Sequence, residues 1–459
     1  MKRAIAAGLL IVGGLAVAYG YFVTAREATH RDLIQRGDAA TAAGDLSTAI
    51  EAFSGAIALR DDSMIGYLKR GDAYRRRDEL ESAVRDLKQA VELDPSATRP
   101  RELLGDVNYA RNRFPSAAEH YAAYVTLDDT SPRILYKLAL AHYRAGQPSV
   151  AIRWLKRAVA LDEHFAEAHY LLGLCQREAQ EPVAALASLK RAMTLAPALL
   201  AAREELADLY RRLGRSQDWL EQLEALRALD PSPARDVTLG LAYAKSGQAE
   251  RALLTLHHAA DRHPTYPKTY VALGRVWLEA ALAGNDRVEL AKALKALQNA
   301  VEVENTSEAY MLFGRALLFA ADDERAEQML QQATLRLPAD PQAFYLLAEA
   351  SEKRGHFEPA RRALLDYIAL AGEDLDGRRR ASLATRVGDL SMQLSDYPLA
   401  LAYYERAAPS MTADADFTLK LAEARWRAGD VVAARAMVDK VLEKDPTDAS
   451  ARALRRRLR

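Results

Sequence analysis

Three aspartates recur at one constant spacing near the start of the chain. Asp38, Asp72 and Asp106 are equally spaced and lie in segments whose apolar residues repeat with the period of a helix. Aspartate is a poor helix former, so a repeated aspartate in the middle of a helix needs an explanation. One hypothesis is an acidic surface that binds a basic segment of a partner. The alternative is that arginines of adjacent helices neutralise these carboxylates, each pair contributing about 0–1 kcal/mol.

Residues suited to catalysis or metal binding do not form a recognisable motif. The closest histidine groupings are His164 with His169 and His257 with His258, and neither has the i, i+4 spacing that places two ligands on one helix face. The sequence contains no glycine-rich phosphate loop, no G-x-S-x-G motif and no H-E-x-x-H motif. The single cysteine, Cys175, is interpreted as a small buried residue. We therefore expect no enzymatic activity, no cofactor and no metal site.

The charge of the chain is balanced. Lys and Arg together number 63, as do Asp and Glu, so the formal net charge is +0 and no global field attracts a nucleic acid. Runs of arginine at 75–77, at 378–380 and near the C-terminus are local exceptions, and acidic residues lie close to the first two. We therefore expect no nucleic-acid partner.

Small residues mark an internal repeat. They recur at nearly regular intervals, at Gly37, Gly71, Gly105, Ala139, Gly173, Ala207, Gly240, Gly274, Gly314, Ala348, Gly388 and Ala422. A second small residue lies twelve positions further on in most repeats, as at Ala83, and proline closes several repeats, as at Pro95. A period of about 34 residues with this pattern resembles the tetratricopeptide repeat (TPR) family over residues 30–446.

The resemblance implies an all-α fold, a right-handed superhelical solenoid of about twelve helix-turn-helix repeats. The repeats start near residues 30, 64, 98, 132, 166, 200, 233, 267, 307, 341, 381 and 415, and a capping helix occupies residues 447–459. The residues support hairpins independently, because apolar-periodic segments are separated by glycines that can take the left-handed conformation. These glycines are Gly44, Gly146, Gly214, Gly247, Gly355 and Gly429.

The resemblance also implies where partners bind. In the TPR family, the first helix of each hairpin lines a concave groove that holds segments of partner proteins. The equivalent positions, and those one helical turn further on, are Asp38, Asp72, Asp106, Asp208, Arg75, Arg76, Arg144, Arg177, Arg211, Tyr109 and Tyr143. Tyr136 and Tyr170 join Tyr143 in an aromatic cluster that either anchors a partner or packs within the repeats. The Lys and Asn with which one subclass binds a C-terminal carboxylate are replaced, for example by Ile34 and Asp38.

Two stretches depart from the period. The sequence around residues 284–286 adds about six residues to the eighth repeat, and "ALAGEDLDGRRRASL" adds about as many between the tenth and eleventh repeats. They are interpreted as mobile loops or hinges, or as insertions that the surface tolerates.

The N-terminus combines a short basic segment, residues 1–3, with an uncharged segment, residues 4–24. At 1.5 Å per residue, the uncharged segment is long enough to cross a bilayer core of about 30 Å. Lys2 and Arg3 precede it, which predicts a cytoplasmic N-terminus and repeats on the far side of the membrane. The alternatives are a cleaved signal peptide ending at Ala18 or Ala25 and an inverted anchor.

Together these features predict a non-enzymatic scaffold that is tethered to a membrane and binds partner proteins in its groove. If the source is bacterial, the predicted location is the inner membrane with the repeats in the periplasm, or the periplasm after cleavage. The alternative function is a periplasmic accessory subunit of polysaccharide synthesis or export, or of envelope assembly, whose groove would hold an enzyme or a glycan. We expect no small-molecule ligand.

Overall fold

The structure is a computed structural model, and it describes residues 2–303, 305–372, 375–411 and 414–458, without the side chains of residues 2–14, 16 and 17. Within these residues the chain forms 25 α-helices, 81% of the residues are helical, and there is no β-strand. The prediction of an all-α fold is therefore confirmed.

The chain divides into two compact units, Met1–Gln222 and Leu223–Arg459, here called the N-terminal and C-terminal units. The helices of the N-terminal unit are α1 (Lys2–Ala42), α2 (Leu46–Leu59), α3 (Met64–Arg76), α4 (Leu80–Leu93), α5 (Thr98–Ala110), α6 (Phe114–Val125), α7 (Pro132–Arg144), α8 (Pro148–Leu161), α9 (Ala166–Glu178), α10 (Pro182–Leu195) and α11 (Leu200–Arg212). The division falls within α12 (Ser216–Leu229).

The C-terminal unit continues the alternation of short helices and short turns. Its helices are α13 (Pro233–Lys245), α14 (Ala249–Arg262), α15 (Pro267–Gly284), α16 (Arg287–Val303), α17 (Ser307–Phe319), α18 (Asp323–Thr334), α19 (Pro341–Lys353), α20 (Phe357–Ala371), α21 (Gly377–Gln393), α22 (Tyr397–Ala407), α23 (Ala415–Arg427), α24 (Val431–Lys444) and α25 (Ala449–Arg457). Inside each unit, an odd-numbered helix packs on the even-numbered helix that follows it, and that helix packs on the next odd-numbered one.

The repeated glycines make room for a large side chain from the second helix of the same hairpin. A Cβ atom on Gly105 would lie 2.3 Å from the ring of Tyr121, and one on Gly173 would lie 2.6 Å from Cγ of Leu189. In both repeats the large side chain follows the glycine by sixteen positions. Absence of a side chain at this position therefore sets the close approach of the two helices. Cys175 is fully buried, as predicted.

A residue in the left-handed conformation connects the two helices of each hairpin. The six predicted glycines all have positive φ values, so that prediction is confirmed. Six further left-handed positions carry a side chain, and these are Asp78, Asn112, Gln180, Asn285, Ala321 and Ser395. The same turn geometry therefore recurs whether or not glycine is present, because the left-handed residue reverses the chain so that the second helix packs antiparallel to the first.

The strain that a Cβ atom causes in this left-handed turn can be measured, as a change in the free energy of unfolding, at two positions in the C-terminal unit. Replacing Gly247, at φ 77°, with alanine is expected to lower the free energy of unfolding by about 0.5–1 kcal/mol, because a Cβ atom is strained there. Replacing Ala321, at φ 59°, with glycine is expected to raise it by a similar amount. Urea denaturation followed by circular dichroism measures both changes, and two shifts of the same sign would contradict the explanation.

The extra residues of the eighth repeat are helical. Helices α15 and α16 have 18 and 17 residues, whereas α17 has 13. The extra residues thus extend both helices, and the connection is only Asn285–Asp286 rather than a long loop. The second insertion lies between the end of α20 at Ala371 and the start of α21 at Gly377, and its residues 373 and 374 lie outside the described part of the chain.

The first helix, α1, is 41 residues long, and its side chains from Leu15 to Val23 are exposed wherever they are described. Among the described residues, no helix meets the length and hydropathy that a membrane span requires. Most of the predicted anchor, residues 4–24, lies outside the described side chains, so the anchor stays a prediction. At the other end of the chain, α25 packs Ala451 and Leu454 against Val438 of α24.

Candidate functional site

Odd-numbered helices supply most of the lining of two cavities in the N-terminal unit. The first has a volume of about 230 Å³ and is lined in part by three predicted residues, Asp38, Asp72 and Arg76. The second has a volume of about 600 Å³. Its lining residues are Arg75, Asp106, Tyr109, Tyr121, Arg133, Tyr136, Lys137, Leu140, Phe165 and Glu167.

Lysines of the next repeat pair with some of the repeated aspartates. Lys69 Nζ lies 2.6 Å from Asp38, and Lys137 Nζ lies 2.7 Å from Asp106. In both pairs the lysine follows the aspartate by 31 positions, a spacing that joins the first helices of successive repeats. These ion pairs therefore connect neighbouring repeats.

The other two predicted aspartates pair with arginines of their own helix. Asp72 has Arg75 at 2.6 Å and Arg76 at 2.9 Å, the i, i+3 and i, i+4 neighbours. Asp208 has Arg211 at 2.6 Å in the same arrangement. Burial alone would raise the pKa of Asp208, but Arg211 and its neighbour hold it below the usual value. Each of the four aspartates thus has a cationic partner, which favours neutralisation within the protein over an acidic surface for a basic partner. The cations are lysines of the next repeat or arginines of the same helix, whereas arginines of adjacent helices were expected.

A partly buried network of polar groups forms the floor of the second cavity. Tyr121 Oη donates a hydrogen bond of 2.7 Å to Asp106, and Lys137 binds both Asp106 and Glu102. Burial, followed by the charge of Asp106, raises the pKa of Tyr121. Burial alone would raise the pKa of Glu102, but Lys137 and Arg99 lower it. Both carboxylates therefore already have cationic partners, and they do not offer unpaired negative charge to a ligand.

Aromatic side chains form the apolar wall of the second cavity. The rings of Tyr136 and Phe165 lie 5.1 Å apart, and Tyr109 and Leu140 are half-buried beside the same space. Burial raises the pKa of Tyr136, with Glu167 as the second cause, so its hydroxyl stays protonated. The cavity thus combines an apolar wall with a rigid polar floor, the combination typical of a binding pocket.

Two exposed charges stand at this cavity. Arg133 and Glu167 line it, and neither has an ion-pair partner among the described residues. Their spacing equals one repeat period, so they occupy equivalent positions in successive repeats. Both charges are available to a ligand, one as a donor and one as an acceptor.

The remaining predicted residues line neither cavity. Tyr143 Oη donates to Glu178 at 2.8 Å, and Arg177 pairs with Glu205. Arg144 donates to Tyr109 Oη at 3.3 Å. The predicted residues outside the two cavities are Tyr143, Arg144, Tyr170, Arg177, Asp208 and Arg211.

Several residues that line the second cavity were not predicted, among them Tyr121, Arg133, Lys137, Phe165 and Glu167. The constant spacing between an aspartate and the lysine of the next repeat is a signal that could have identified Lys137. Across the described residues, no three His, Cys, Asp or Glu side chains converge as metal ligands would.

Comparisons with solved structures find several matches of low sequence identity, among them the following three. YrrB, described as a TPR protein with an unusual peptide-binding site, is 24% identical, with a TM-score of 0.38; the match covers 41% of this chain and 96% of YrrB. PilF of Pseudomonas aeruginosa is 19% identical, with a TM-score of 0.36 and coverages of 46% and 96%. The Cut9–Hcn1 hetero-tetramer of the APC/C gives 13% identity and a TM-score of 0.35, covering 94% of this chain and 96% of the matched one.

Comparison with curated proteins finds no match. A family model described as "Tetratricopeptide repeat" matches residues 33–85, 68–132 and 136–199, and a second model with the same description matches residues 391–458. Together the matched residues make up about half of the chain, from both units. The chain belongs to the tetratricopeptide repeat family.

Proposed function

We propose that this protein is a non-enzymatic scaffold that binds an extended segment of a partner protein in the cavity lined by Tyr109 and Tyr136. TPR proteins are generally protein-interaction scaffolds. The observation that carries the proposal is the cavity itself, which has a volume of about 600 Å³, an aromatic wall and a polar floor whose charges are already paired. That the repeats stack as the right-handed superhelix implied by the family is also part of what we propose.

The pairing of the carboxylates defines the chemistry of the partner. Asp106 is bound by Lys137 and Tyr121, so a purely basic segment gains little from it. The aromatic wall instead suits an aromatic or aliphatic side chain, because burial of apolar surface there removes water from both partners. Arg133 and Glu167 then suit polar groups at either side of that anchor. We infer an extended segment with one apolar anchor rather than a charged one.

Membrane tethering is the second part of the proposal. Leu15, Tyr19, Tyr21 and Phe22 are large apolar or aromatic side chains of α1 and are exposed, Tyr21 by 76%. Aromatic side chains of this kind are enriched where a helix leaves a bilayer. Alkaline extraction of membranes, with the mass of the N-terminal peptide, tests the tether. A protein found in the soluble fraction with an intact N-terminus would contradict it.

Peptide binding is tested by selecting displayed random peptides on the purified full-length protein. We expect enriched peptides to share an aromatic or aliphatic residue. Replacing Tyr136 with alanine is expected to weaken their binding about 10- to 30-fold, the usual cost of a buried aromatic anchor. The readout is the dissociation constant from fluorescence anisotropy.

The matched control is Tyr124→Ala. Tyr124 is also half-buried and lies in the N-terminal unit, where it bonds to Asp128 at 3.3 Å, but it lines neither cavity. We expect it to leave peptide affinity within a factor of two or so. If Tyr136→Ala and Tyr124→Ala lost peptide affinity equally, the loss would reflect impaired folding. The cavity would then not be the binding site.

A further inference from the structure

A third cavity lies in the C-terminal unit, on the side formed by even-numbered helices. It has a volume of about 740 Å³. Tyr270, Leu273 and Trp277 of α15 line it, together with residues of α14 and α16. This places it between the second helices of two successive repeats, whereas the two cavities of the N-terminal unit are lined mainly by first helices.

Trp277 occupies a position that is aromatic in several repeats. It follows the repeated small residue by three positions, as do Tyr74, Tyr210 and Tyr243. In each of these four repeats a cation lies over the ring. Lys292 Nζ is 4.2 Å from the ring centroid of Trp277, a distance typical of a cation–π contact.

The lysine over Trp277 differs from the three arginines over the tyrosines in what else it contacts; Lys190, which lies 5.7 Å from the ring centroid of Tyr210, likewise has no ion-pair partner among the described residues. Over the tyrosines, an arginine also pairs with a carboxylate of the protein. The three pairs are Arg77 with Glu79 at 2.5 Å, Arg215 with Asp218 at 2.7 Å and Arg251 with Glu224 at 3.1 Å. Lys292 has no carboxylate within 4.0 Å among the described residues. Among the described residues, no carboxylate therefore neutralises the charge of Lys292.

A second lysine stands next to the first. Lys295 lies three residues after Lys292 on α16, and so on the same helix face. Both are exposed and line the cavity, and Lys295 also has no ion-pair partner among the described residues. Asp261 is the one acidic side chain in the lining, and it belongs to the opposite wall, α14. Positive charge is therefore concentrated on the α16 side.

We propose that this groove binds an acidic segment of a partner protein. An apolar side chain of the segment packs on Leu273 and Trp277, and an adjacent Asp or Glu carboxylate lies between Lys292 and Lys295. Asn299 offers a donor and an acceptor to the peptide backbone. Because Asp261 repels further carboxylates at the α14 wall, the fitting segment carries its acidic residues on one side of the apolar anchor. This site is separate from the cavity at Tyr136, and neither requires the other.

The test uses two fluorescein-labelled peptides, GGWLEE and its neutral counterpart GGWLQQ, titrated with the full-length protein at low ionic strength. We expect the acidic peptide to bind at least about fivefold more tightly than the neutral one. The double variant Lys292→Gln/Lys295→Gln is expected to abolish this difference without a change in the helical circular dichroism signal. Added salt is expected to reduce the difference, because it screens the exposed charges.

The matched control is Lys440→Gln/Lys444→Gln. These two lysines are exposed on one helix, α24, in the same unit, and the variant loses the same charge. It is expected to retain the preference for the acidic peptide. The proposal is overturned if the two peptides bind equally, if both double variants lose affinity equally, or if inorganic phosphate displaces the acidic peptide from wild type and from Lys292→Gln/Lys295→Gln alike. Unchanged binding of the selected peptides in Tyr136→Ala, with the expected result for the two peptides here, would remove only the proposed function.

Discussion

Replacing Glu327 with alanine is expected to destabilise the C-terminal unit by about 2–4 kcal/mol. Only 3% of this residue is exposed, and its carboxylate accepts hydrogen bonds from Ser351 at 2.6 Å, Arg354 at 2.7 Å and His356 at 3.0 Å. Removing it leaves the buried Ser351 hydroxyl without its acceptor and Arg354 without its closest counter-ion. Hydrogen exchange should show the loss in α18, α19 and the start of α20, because repeat stability is transmitted mainly to neighbours.

The control is Glu324→Ala on the same helix. Its side chain is 68% exposed and its distance to Arg354 is 3.9 Å, so the expected change is within about 0.5 kcal/mol. If both variants were equally stable, the buried network would contribute nothing.

The same carboxylate predicts a dependence of stability on pH. Burial alone would raise the pKa of Glu327, but bonds from Ser351, His356 and Arg354 lower it below the ordinary 4.5. The stabilisation is therefore fully present above about pH 4.5 and is lost as the pH falls through the folded pKa. The difference in unfolding free energy between wild type and Glu327→Gln should shrink as the pH falls below about 4.5 and through the folded pKa of Glu327. If this difference in unfolding free energy instead became larger in acid, the expected direction of the pH dependence would be wrong.

Replacing Ala83 with leucine is expected to cost about 1–3 kcal/mol, because it overfills a helix crossing. Ala83 lies in α4, is fully buried and belongs to the same core cluster as Leu87 and Leu103. Thermal unfolding measures the change. The control is Lys88→Leu, at an exposed position of the same helix, which should change stability little. An unchanged melting temperature for Ala83→Leu would contradict the assignment of this residue to the crossing.

The helical hairpins could be predicted from the sequence because each one carries its own local signals. A small residue at Gly105 and a turn glycine at Gly146 act within a single repeat, so no distant contact is needed to interpret them. The left-handed turns at Gln180 and Ala321 could not be identified, since these residues do not favour that conformation and the packing of the two helices imposes it. The extra residues near Asn285 continued the helices instead of forming a loop, because both helices could be lengthened together.

The candidate site was predicted less completely, because it depends on contacts between repeats. The spacing of Asp38 and Asp106 was visible, but their electrostatic state depends on lysines that belong to the next repeat. Phe165 precedes its helix and reaches Tyr136 only when two repeats stack. A pattern within one repeat cannot show such a contact, and this explains why the apolar wall was partly missed.

The most direct test of the central claim is photo-crosslinking in the native cell, with a photoreactive amino acid placed at Tyr136 and, as a control, at Tyr124. If the cavity binds a partner, a single crosslinked segment containing an aromatic or aliphatic anchor should form from position 136 and not from position 124. Crosslinks of equal yield at both positions, or no crosslink at position 136 in an expressed and folded protein, would contradict the account.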